Sequence, residues 1–243
     1  MGFLIGVQLF LIVMFLLLGW AIVKKDAYWL ISNFNGRTED EQKQLIENGF
    51  PQRVGKLMLA TAAGMAILLP LSFTSFTYSM EIQFGFMLVF LLGGLIYLSK
   101  YEVKSKRKRS YIISSVLAIV TIGFLIVISF LGYQNFEIKT NQDSFEITGM
   151  YGDVWKYDEI QSVELLDEMP EVTWKQNGFG LATMSKGQFR VKNFGSSLLF
   201  IHKGSSPYLY IELEGKKVFI NSKNPEQTKK WYILLSEITK KGA

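Results

Sequence analysis

The stretch that decides the fold is Tyr111–Gly132, with the sequence YIISSVLAIVTIGFLIVISFLG. It contains no Asp, Glu, Lys, Arg or His. At about 1.5 Å per residue, a helix of this length rises about 33 Å, which is enough to cross the roughly 30 Å of hydrocarbon in a bilayer. The stretch is therefore predicted to be a transmembrane helix.

Three earlier stretches have the same character, and none of them contains Asp, Glu, Lys, Arg or His. The first lacks the charged start and the small-residue cleavage site of a signal peptide and ends at Lys24-Lys25, so it is predicted to be a retained helix. Residues 1–132 are therefore predicted to form a four-helix transmembrane domain with a loop at 24–56. The three earlier helices are predicted at Phe3–Val23, Leu57–Phe76 and Ile82–Ser99.

The 24–56 loop contains its own helix signal. Thr38 followed three residues later by Glu41 fits a capping box, so a short helix is predicted from Glu39 to about Asn48, stopping at Gly49 with Pro51 just beyond. Two interpretations of the loop stay open: a connecting segment that lies on the bilayer, or a specific docking surface.

Charge predicts the orientation in the membrane. Residues 100–109 contain six Lys/Arg and one Glu, whereas residues 77–81 contain no cation. The positive-inside rule then places loops 24–56 and 100–110 in the cytoplasm. Four crossings put the C-terminal domain outside. A cytoplasmic domain is the alternative; with Met1 outside, it requires an odd number of crossings, and Ile82–Ser99, the shortest and most glycine-rich stretch, is the first candidate not to cross.

From Asn135 onward the apolar residues alternate with a period of two, as they do in half-buried strands. Glu214-Gly215 lies between two such runs and predicts a hairpin turn. A helix is predicted from Pro225 to Lys240 with Asn224 as its N-cap. Residues 133–243 are therefore predicted to form a mainly-β antiparallel barrel or sandwich closed by one α-helix, with an apolar stripe formed by Trp231, Leu234, Leu235 and Ile238.

This order of elements, together with the run Tyr157–Leu166, resembles a bacterial pleckstrin-homology-like (PH-like) family over about residues 145–238. Further segments that match are Asn177–Gly180, Lys186–Phe189, Pro207-Tyr208, Ile220–Ser222 and Glu226–Trp231. In its domain the family is similar to the immunity protein for the bacteriocin sublancin. Residues 1–100 separately resemble an uncharacterised family of small Gram-positive membrane proteins. Both resemblances imply a membrane-anchored PH-like module, and neither implies catalytic, cofactor or metal residues.

The residue inventory argues against most catalytic chemistry. The chain has no cysteine, so thiolate catalysis and thiolate metal sites are excluded. His202 is the only histidine, and no nucleophile–base pair is evident around it. Residues 133–243 hold equal numbers of basic and acidic side chains, which is unlike a nucleic-acid-binding domain. The protein is therefore predicted to be no enzyme, with no cofactor and no nucleic-acid partner.

One strand carries a candidate binding face. Lys186, Arg190 and Lys192 follow each other at even spacing and are predicted to project from one side, with Phe189 and Val191 on the core side. Such a face could contact anionic lipid or another anionic polymer. The alternative is a simple solvated surface.

The sequence as a whole predicts a non-enzymatic binding or sensing protein of a Gram-positive plasma membrane. The resemblance implies bacteriocin self-immunity or envelope stress protection as the specific role. The alternative is an accessory subunit of a transporter or a regulator complex. The expected partners are the lipid bilayer and, depending on the role, a peptide bacteriocin, an anionic lipid or another membrane protein.

Overall fold

The computed structural model describes residues 2–242, with side chains described for residues 4–240, and contains two compact units, Met1–Phe124 and Leu125–Ala243. Among the described residues, four helices are long and apolar enough to cross a membrane, which confirms a multi-pass membrane protein. The helices of this half of the chain are α1 (Gly2–Lys25), α2 (Glu39–Glu47), α3 (Phe50–Leu68), α4 (Ser79–Leu98) and α5 (Arg107–Tyr133).

The short helix α2 forms where the capping signal predicts it, and the Thr38 Oγ1 accepts a hydrogen bond from the Glu41 backbone N–H at 3.4 Å. The prediction that the second membrane helix begins at Leu57 is wrong, because α3 already begins at Phe50. Gly49, with a φ of +69°, turns the chain between the two helices. Pro51 occupies the first turn of α3, where the missing proline N–H would have had no partner within the helix.

Glycines of α3 and α4 make room for large side chains of the facing helix. A Cβ added to Gly64 of α3 would lie 2.2 Å from the Phe86 ring of α4, and one added to Gly94 of α4 would lie 2.4 Å from Leu57 of α3. This is the usual role of small residues between helices in lipid.

The two predicted cytoplasmic loops contact each other at one end of the helices. Arg37 Nη2 lies 2.9 Å from Glu102 Oε2, and Lys106 Nζ lies 2.5 Å from Glu41 Oε1. The side-chain amide of Asn48 donates to the Tyr101 carbonyl at 3.3 Å. Helices α3 and α4 therefore form an antiparallel pair that leaves from this end and returns to it.

The described residues of the C-terminal unit, up to residue 242, form nine strands in two sheets and a final helix, which confirms the predicted fold class. The small sheet has the order β1-β2-β3, and the large sheet has the order β4-β8-β9-β7-β6-β5. The helix is α6 (Pro225–Gly242). The strands are β1 (Ile138–Thr140), β2 (Ser144–Ile147), β3 (Val154–Lys156), β4 (Ile160–Leu166), β5 (Val172–Gly180), β6 (Met184–Val191), β7 (Gly195–His202), β8 (Tyr208–Leu213) and β9 (Lys216–Ile220).

The large sheet is curved. Its two edge strands, β4 and β5, are joined by residues 167–171 alone. Six flat strands about 4.8 Å apart would separate these edges by about 24 Å, while the six Cα–Cα steps from Leu166 to Val172 reach about 22 Å at most. The sheet therefore bends its edges toward each other, which gives the domain its barrel-like form.

Strand pairing departs from the prediction at one place. An all-antiparallel domain was expected, but β7 and β9 pair in parallel, with Leu198 opposite Val218 and Phe200 opposite Ile220. The cause is topological: β8 lies beside β4, and β9 returns from it to fill the space next to β7. The Glu214-Gly215 turn between β8 and β9 forms as predicted, with Gly215 at a φ of +74°.

The central strands are buried on both faces rather than half-buried. Leu209 and Ile211 of β8 belong to a cluster that includes residues of the small sheet and α6. Tyr208 and Tyr210, on the opposite face of the same strand, pack with Phe189 of β6 in a second cluster. The two clusters explain why both the even and the odd residues of β8 are buried.

Helix α6 is capped as predicted, because Asn224 Oδ1 accepts the Glu226 backbone N–H at 3.1 Å. The predicted stripe needs one correction. Trp231 and Leu235 are buried in the first cluster, but Leu234 is exposed. The buried stripe instead continues from Trp231 back to Thr228, because residues three and four apart share a helix face.

Candidate functional site

The predicted binding face lies on and just beyond β6, and the structure separates its three cations. Arg190 and Lys192 are exposed, as a surface face requires. Lys186 is fully buried, so it cannot contribute to a surface in this structure. Even spacing along a strand shows which residues project from the same face of the sheet, but it does not show whether that face is exposed to solvent along its whole length.

Lys186 caps the end of the last membrane helix. Its Nζ donates to the carbonyl oxygen of Gln134 at 2.5 Å and lies 3.5 Å from that of Leu131. Carbonyls at a helix C-terminus lack partners within the helix and carry partial negative charge, so an ammonium group stabilises them. Burial lowers the pKa of Lys186 below its usual value. The side chain is therefore a structural cation that holds the chain where it leaves α5.

The turn of the β5–β6 hairpin lies on the same helix end. A Cβ on Gly132 would meet Phe179 at 2.9 Å and Leu181 at 3.0 Å. Within the hairpin Gly178 faces Gly187, both with positive φ, and a Cβ on Gly178 would lie 2.2 Å from the Lys186 carbonyl oxygen. The strand register shifts between Lys175 and Asn177, so Gly178 follows directly after a bulge in β5.

The exposed part of the face contains an aromatic residue that the sequence analysis did not single out. Trp174 of β5 lies directly opposite Arg190 of β6, and the Trp174 side chain is 69% exposed. Lys192 forms an ion pair with Glu171 at 2.9 Å, which raises the pKa of Lys192. The contact with an anionic partner stays a prediction for Arg190 and Lys192. The only signal for Trp174 was a large aromatic residue at a polar strand, which does not by itself indicate exposure.

A row of polar groups continues across three strands beside this pair. Gln188 Nε2 donates to Ser196 Oγ at 2.7 Å, and the Ser196 hydroxyl donates to Gln176 Oε1 at 2.6 Å. These bonds join β5, β6 and β7 through their exposed side chains. The exposed face therefore has an ordered polar half next to the Trp174–Arg190 pair.

His202 is buried at the end of β7, where its ring stacks on Phe136 with centroids 4.7 Å apart. Burial, with a smaller contribution from Lys223, lowers the pKa of His202 to about 4, so the imidazole is neutral at pH 7. The buried Asn221 side chain bonds the backbone of His202: its Oδ1 accepts from the backbone N–H at 2.6 Å, and its Nδ2 donates to the backbone carbonyl at 2.9 Å. Across residues 2–242, no group of three or more His, Cys, Asp or Glu residues is placed to hold a metal ion.

Comparison with known families agrees with this two-part architecture. Residues 9–102 match the model of a domain of unknown function, DUF3784, and residues 136–232 match the model of a bacterial PH domain. No curated protein and no solved structure gives a significant match to the chain. The chain thus joins a membrane region similar to DUF3784 to a C-terminal domain similar to bacterial PH domains, which is called the PH domain from here on.

Proposed function

We propose that this protein is a non-enzymatic binding protein of the plasma membrane, whose PH domain captures a peptide next to the bilayer. Self-protection against a peptide bacteriocin is the specific role that we propose. The observation that supports peptide binding is the free edge of β5 beside the exposed Trp174. The immunity role is supported by the family resemblance of the domain.

Strand β5 has the features of a peptide-docking edge. It ends the large sheet, and on its outer side it pairs with no other strand of the described residues. Exposed edges are usually short or blocked by proline and bulges, because their free N–H and C=O groups invite pairing. β5 has two irregularities in its pairing with β6, between Val172 and Trp174 and between Lys175 and Asn177, but it runs for nine residues without a proline, and its first six residues are exposed. An extended peptide can add to such an edge through main-chain hydrogen bonds.

Trp174 would supply side-chain affinity at this edge. Tryptophan and arginine are the residues that most often dominate binding energy at interfaces, and here they form one cross-strand pair. The single imidazole of the chain is buried against Phe136 and neutral, which supports a binding role over acid–base catalysis.

The test is protection of a sensitive strain. Expression of the protein should raise the inhibitory concentration of a cognate peptide, and Trp174→Ala should remove most of that increase. Val154→Ala, an exposed apolar change on β3 of the same domain, is the matched control and should protect like the wild type. The proposal fails if the wild type gives no protection across a panel of peptides that includes any encoded beside the gene.

The second candidate is an accessory subunit of a membrane transporter or regulator complex. Helix α5 favours it, because only 11% of its most apolar window is buried, compared with 22–28% for the other three spans. Copurification in mild detergent separates the two candidates. A stoichiometric membrane partner that stays bound supports an accessory role, and a protein that purifies alone and binds the peptide supports immunity.

We further propose that the PH domain lies outside the cell. The support is the charge of loops 24–56 and 100–110, together with the antiparallel crossing of α3 and α4 that brings these loops into contact. The chain has no cysteine, so single cysteines are clean reporters. In intact cells, Glu168→Cys in the domain should react with an impermeant maleimide, while Lys104→Cys should react only after permeabilisation. The reverse pattern would place the domain in the cytoplasm.

A further inference from the structure

A groove of about 760 Å³ runs between α3 and α4 in the membrane region. Its walls are mostly apolar, and its lining includes residues from the middle of both spanning helices, such as Ala60 and Phe86. A cavity of this size falls in the range that holds a small organic ligand. Because it opens along transmembrane helices, the molecules that reach it are those of the bilayer.

Two neighbouring glycines of α4 have different roles at this groove. Gly94 touches Leu57 of α3, and any side chain there would collide with that residue at 2.4 Å. A Cβ on Gly93 would meet no atom within 4 Å, although Gly93 lines the groove. Gly94 therefore permits the helices to pack, whereas Gly93 leaves space that a larger residue would fill without disturbing the packing.

One end of the groove is cationic. Arg53 and Lys56 of α3 line it, and no Asp or Glu does. The Arg53 guanidinium is held in place over the Tyr101 ring at 3.8 Å and by the Asn48 and Gly49 carbonyls at 3.1 and 3.0 Å. Lys56 is exposed and has no carboxylate within ion-pair distance among residues 4–240.

A second cavity of similar size, about 770 Å³, lies in the same membrane region but has a different electrostatic character. Two of its cations are already neutralised: Arg37 pairs with Glu102 at 2.9 Å, and Lys106 pairs with Glu41. Among residues 4–240, the second cavity keeps one lining cation without a carboxylate partner, Arg109, whereas the α3–α4 groove keeps two, Arg53 and Lys56.

We propose that the α3–α4 groove binds one anionic glycerophospholipid. An acyl chain lies along the apolar wall past Gly93, and the phosphate lies against Lys56 and Arg53. Apolar walls select a hydrocarbon tail, and basic residues between transmembrane helices select an anionic headgroup. Two near-surface cations favour an anionic over a zwitterionic lipid by on the order of tenfold. This site involves no residue of the PH domain, so a result against lipid binding here would not affect the proposed peptide binding, and the reverse also holds.

The test uses the full chain in mild detergent and native mass spectrometry during titration with phosphatidylglycerol or phosphatidylcholine. The wild type should retain one phosphatidylglycerol with about tenfold preference over phosphatidylcholine. Lys56→Gln should remove most of this preference, whereas Lys43→Gln, a matched change of an exposed lysine on α2, should keep it.

Filling the groove gives the second arm of the test. Gly93→Leu should reduce retention of the bound lipid severalfold. Gly85→Leu is the matched control, because a Cβ on Gly85 also meets no atom within 4 Å but Gly85 does not line the groove. Equal retention of the two lipids by the wild type, or equal retention by the Gly93→Leu and Gly85→Leu variants, would overturn the proposal.

Discussion

The membrane region and the PH domain both bury apolar clusters, but they differ in where most of their large apolar side chains lie. In the membrane region, Gln8, Thr61 and Gln83 are fully buried while large apolar residues such as Ile67, 77% exposed, face outward. In the PH domain, large side chains such as Phe145 fill the interior. Large apolar side chains thus lie mainly on the outside of the membrane region and mainly inside the PH domain, a reversal of their placement where the surroundings change from lipid to water.

The reversal follows from the solvent. In water, each large apolar side chain that becomes buried stabilises the fold by about 1.5–3 kcal/mol. In lipid this gain is absent, because hydrocarbon tails are as apolar as leucine, and close packing and interhelical hydrogen bonds decide what lies inside. Apolar content alone therefore does not identify the core of this protein.

The largest expected effect that tests this comparison is at Trp231. Trp231→Ala removes a buried indole from the first cluster of the PH domain and should lower the domain's free energy of unfolding by about 3–5 kcal/mol. Ile67→Ala, a large apolar change in the membrane region, should alter the stability of that region by less than about 0.5 kcal/mol.

Buried single cysteines give the measurement. Ser197→Cys reports opening of the PH domain, and Thr61→Cys reports opening of the membrane region, through the rate of thiol labelling as denaturant is added. An Ile67→Ala loss comparable to that of Trp231→Ala would contradict the inside-out arrangement of the membrane region.

Local signals made much of this arrangement predictable. The four spans follow from uncharged stretches, α2 from Thr38 and Glu41, α6 from Asn224, and the β8–β9 turn from Glu214-Gly215. In each case the residues that define the element are neighbours in sequence. The same holds for the family resemblance, whose segments run through most of the PH domain.

What could not be predicted depends on contacts between distant segments. The parallel pairing of β7 with β9 arises from the position of β8, which no local pattern encodes. Lys186 had the spacing of a surface cation, and its burial results from carbonyls more than fifty residues earlier in the chain. The Trp174–Arg190 pair needs the register of the β5–β6 hairpin, which the shift before Asn177 alters.

The next effect concerns a titratable group in the PH domain interior. The pKa of His202 is lowered from 6.5 to about 4 in the folded protein. Between these two pKa values His202 binds a proton in the unfolded chain but not in the folded one. Its contribution to the free energy of unfolding is therefore fully present above about pH 6.5 and is lost as the pH falls toward 4. The loss should reach about 3 kcal/mol.

His202→Phe should abolish this pH-dependent loss of stability, because phenylalanine keeps a ring against Phe136 but cannot bind a proton. The measurement compares the unfolding free energy of wild type and variant between pH 7 and pH 4, with the Ser197→Cys reporter. Parallel curves for the two proteins would show that His202 does not resist protonation in the folded state.

A smaller effect is expected at Lys186, the buried cation of the same unit. Lys186→Met keeps much of the side-chain volume but removes the ammonium group, so the carbonyls of Leu131 and Gln134 lose a charged donor. The expected loss of stability is about 1–3 kcal/mol. Lys175→Met on the exposed side of β5 is the control and should change stability by less than about 0.5 kcal/mol. A gain in stability for Lys186→Met would mean that desolvation of the lysine outweighs its capping role.

The smallest effect is expected in the membrane interior, at Gln83. Its Nε2 donates to the Met65 carbonyl at 2.9 Å, while its buried Oε1 has no partner among the described residues. Gln83→Leu loses one interhelical hydrogen bond, of about 0.6 kcal/mol on average, but also removes a buried acceptor without a partner, so the net change should lie within about 1 kcal/mol of zero.

Asn221 provides the matched amide in the PH domain. Its side chain accepts a hydrogen bond from the backbone N–H of His202 and donates to the backbone carbonyls of His202 and Ser205. Asn221→Leu leaves these three backbone groups without that partner. The expected loss is at least about 2 kcal/mol, because each buried backbone group left unpaired costs about 1–3 kcal/mol. Labelling of Thr61→Cys during titration with sodium dodecyl sulfate measures the effect of Gln83→Leu. Labelling of Ser197→Cys in denaturant measures the effect of Asn221→Leu. An equal loss of stability for Gln83→Leu and Asn221→Leu would mean that the interior of the membrane region depends on polar bonds as strongly as the interior of the PH domain does. The two interiors would then differ only in the size of their side chains.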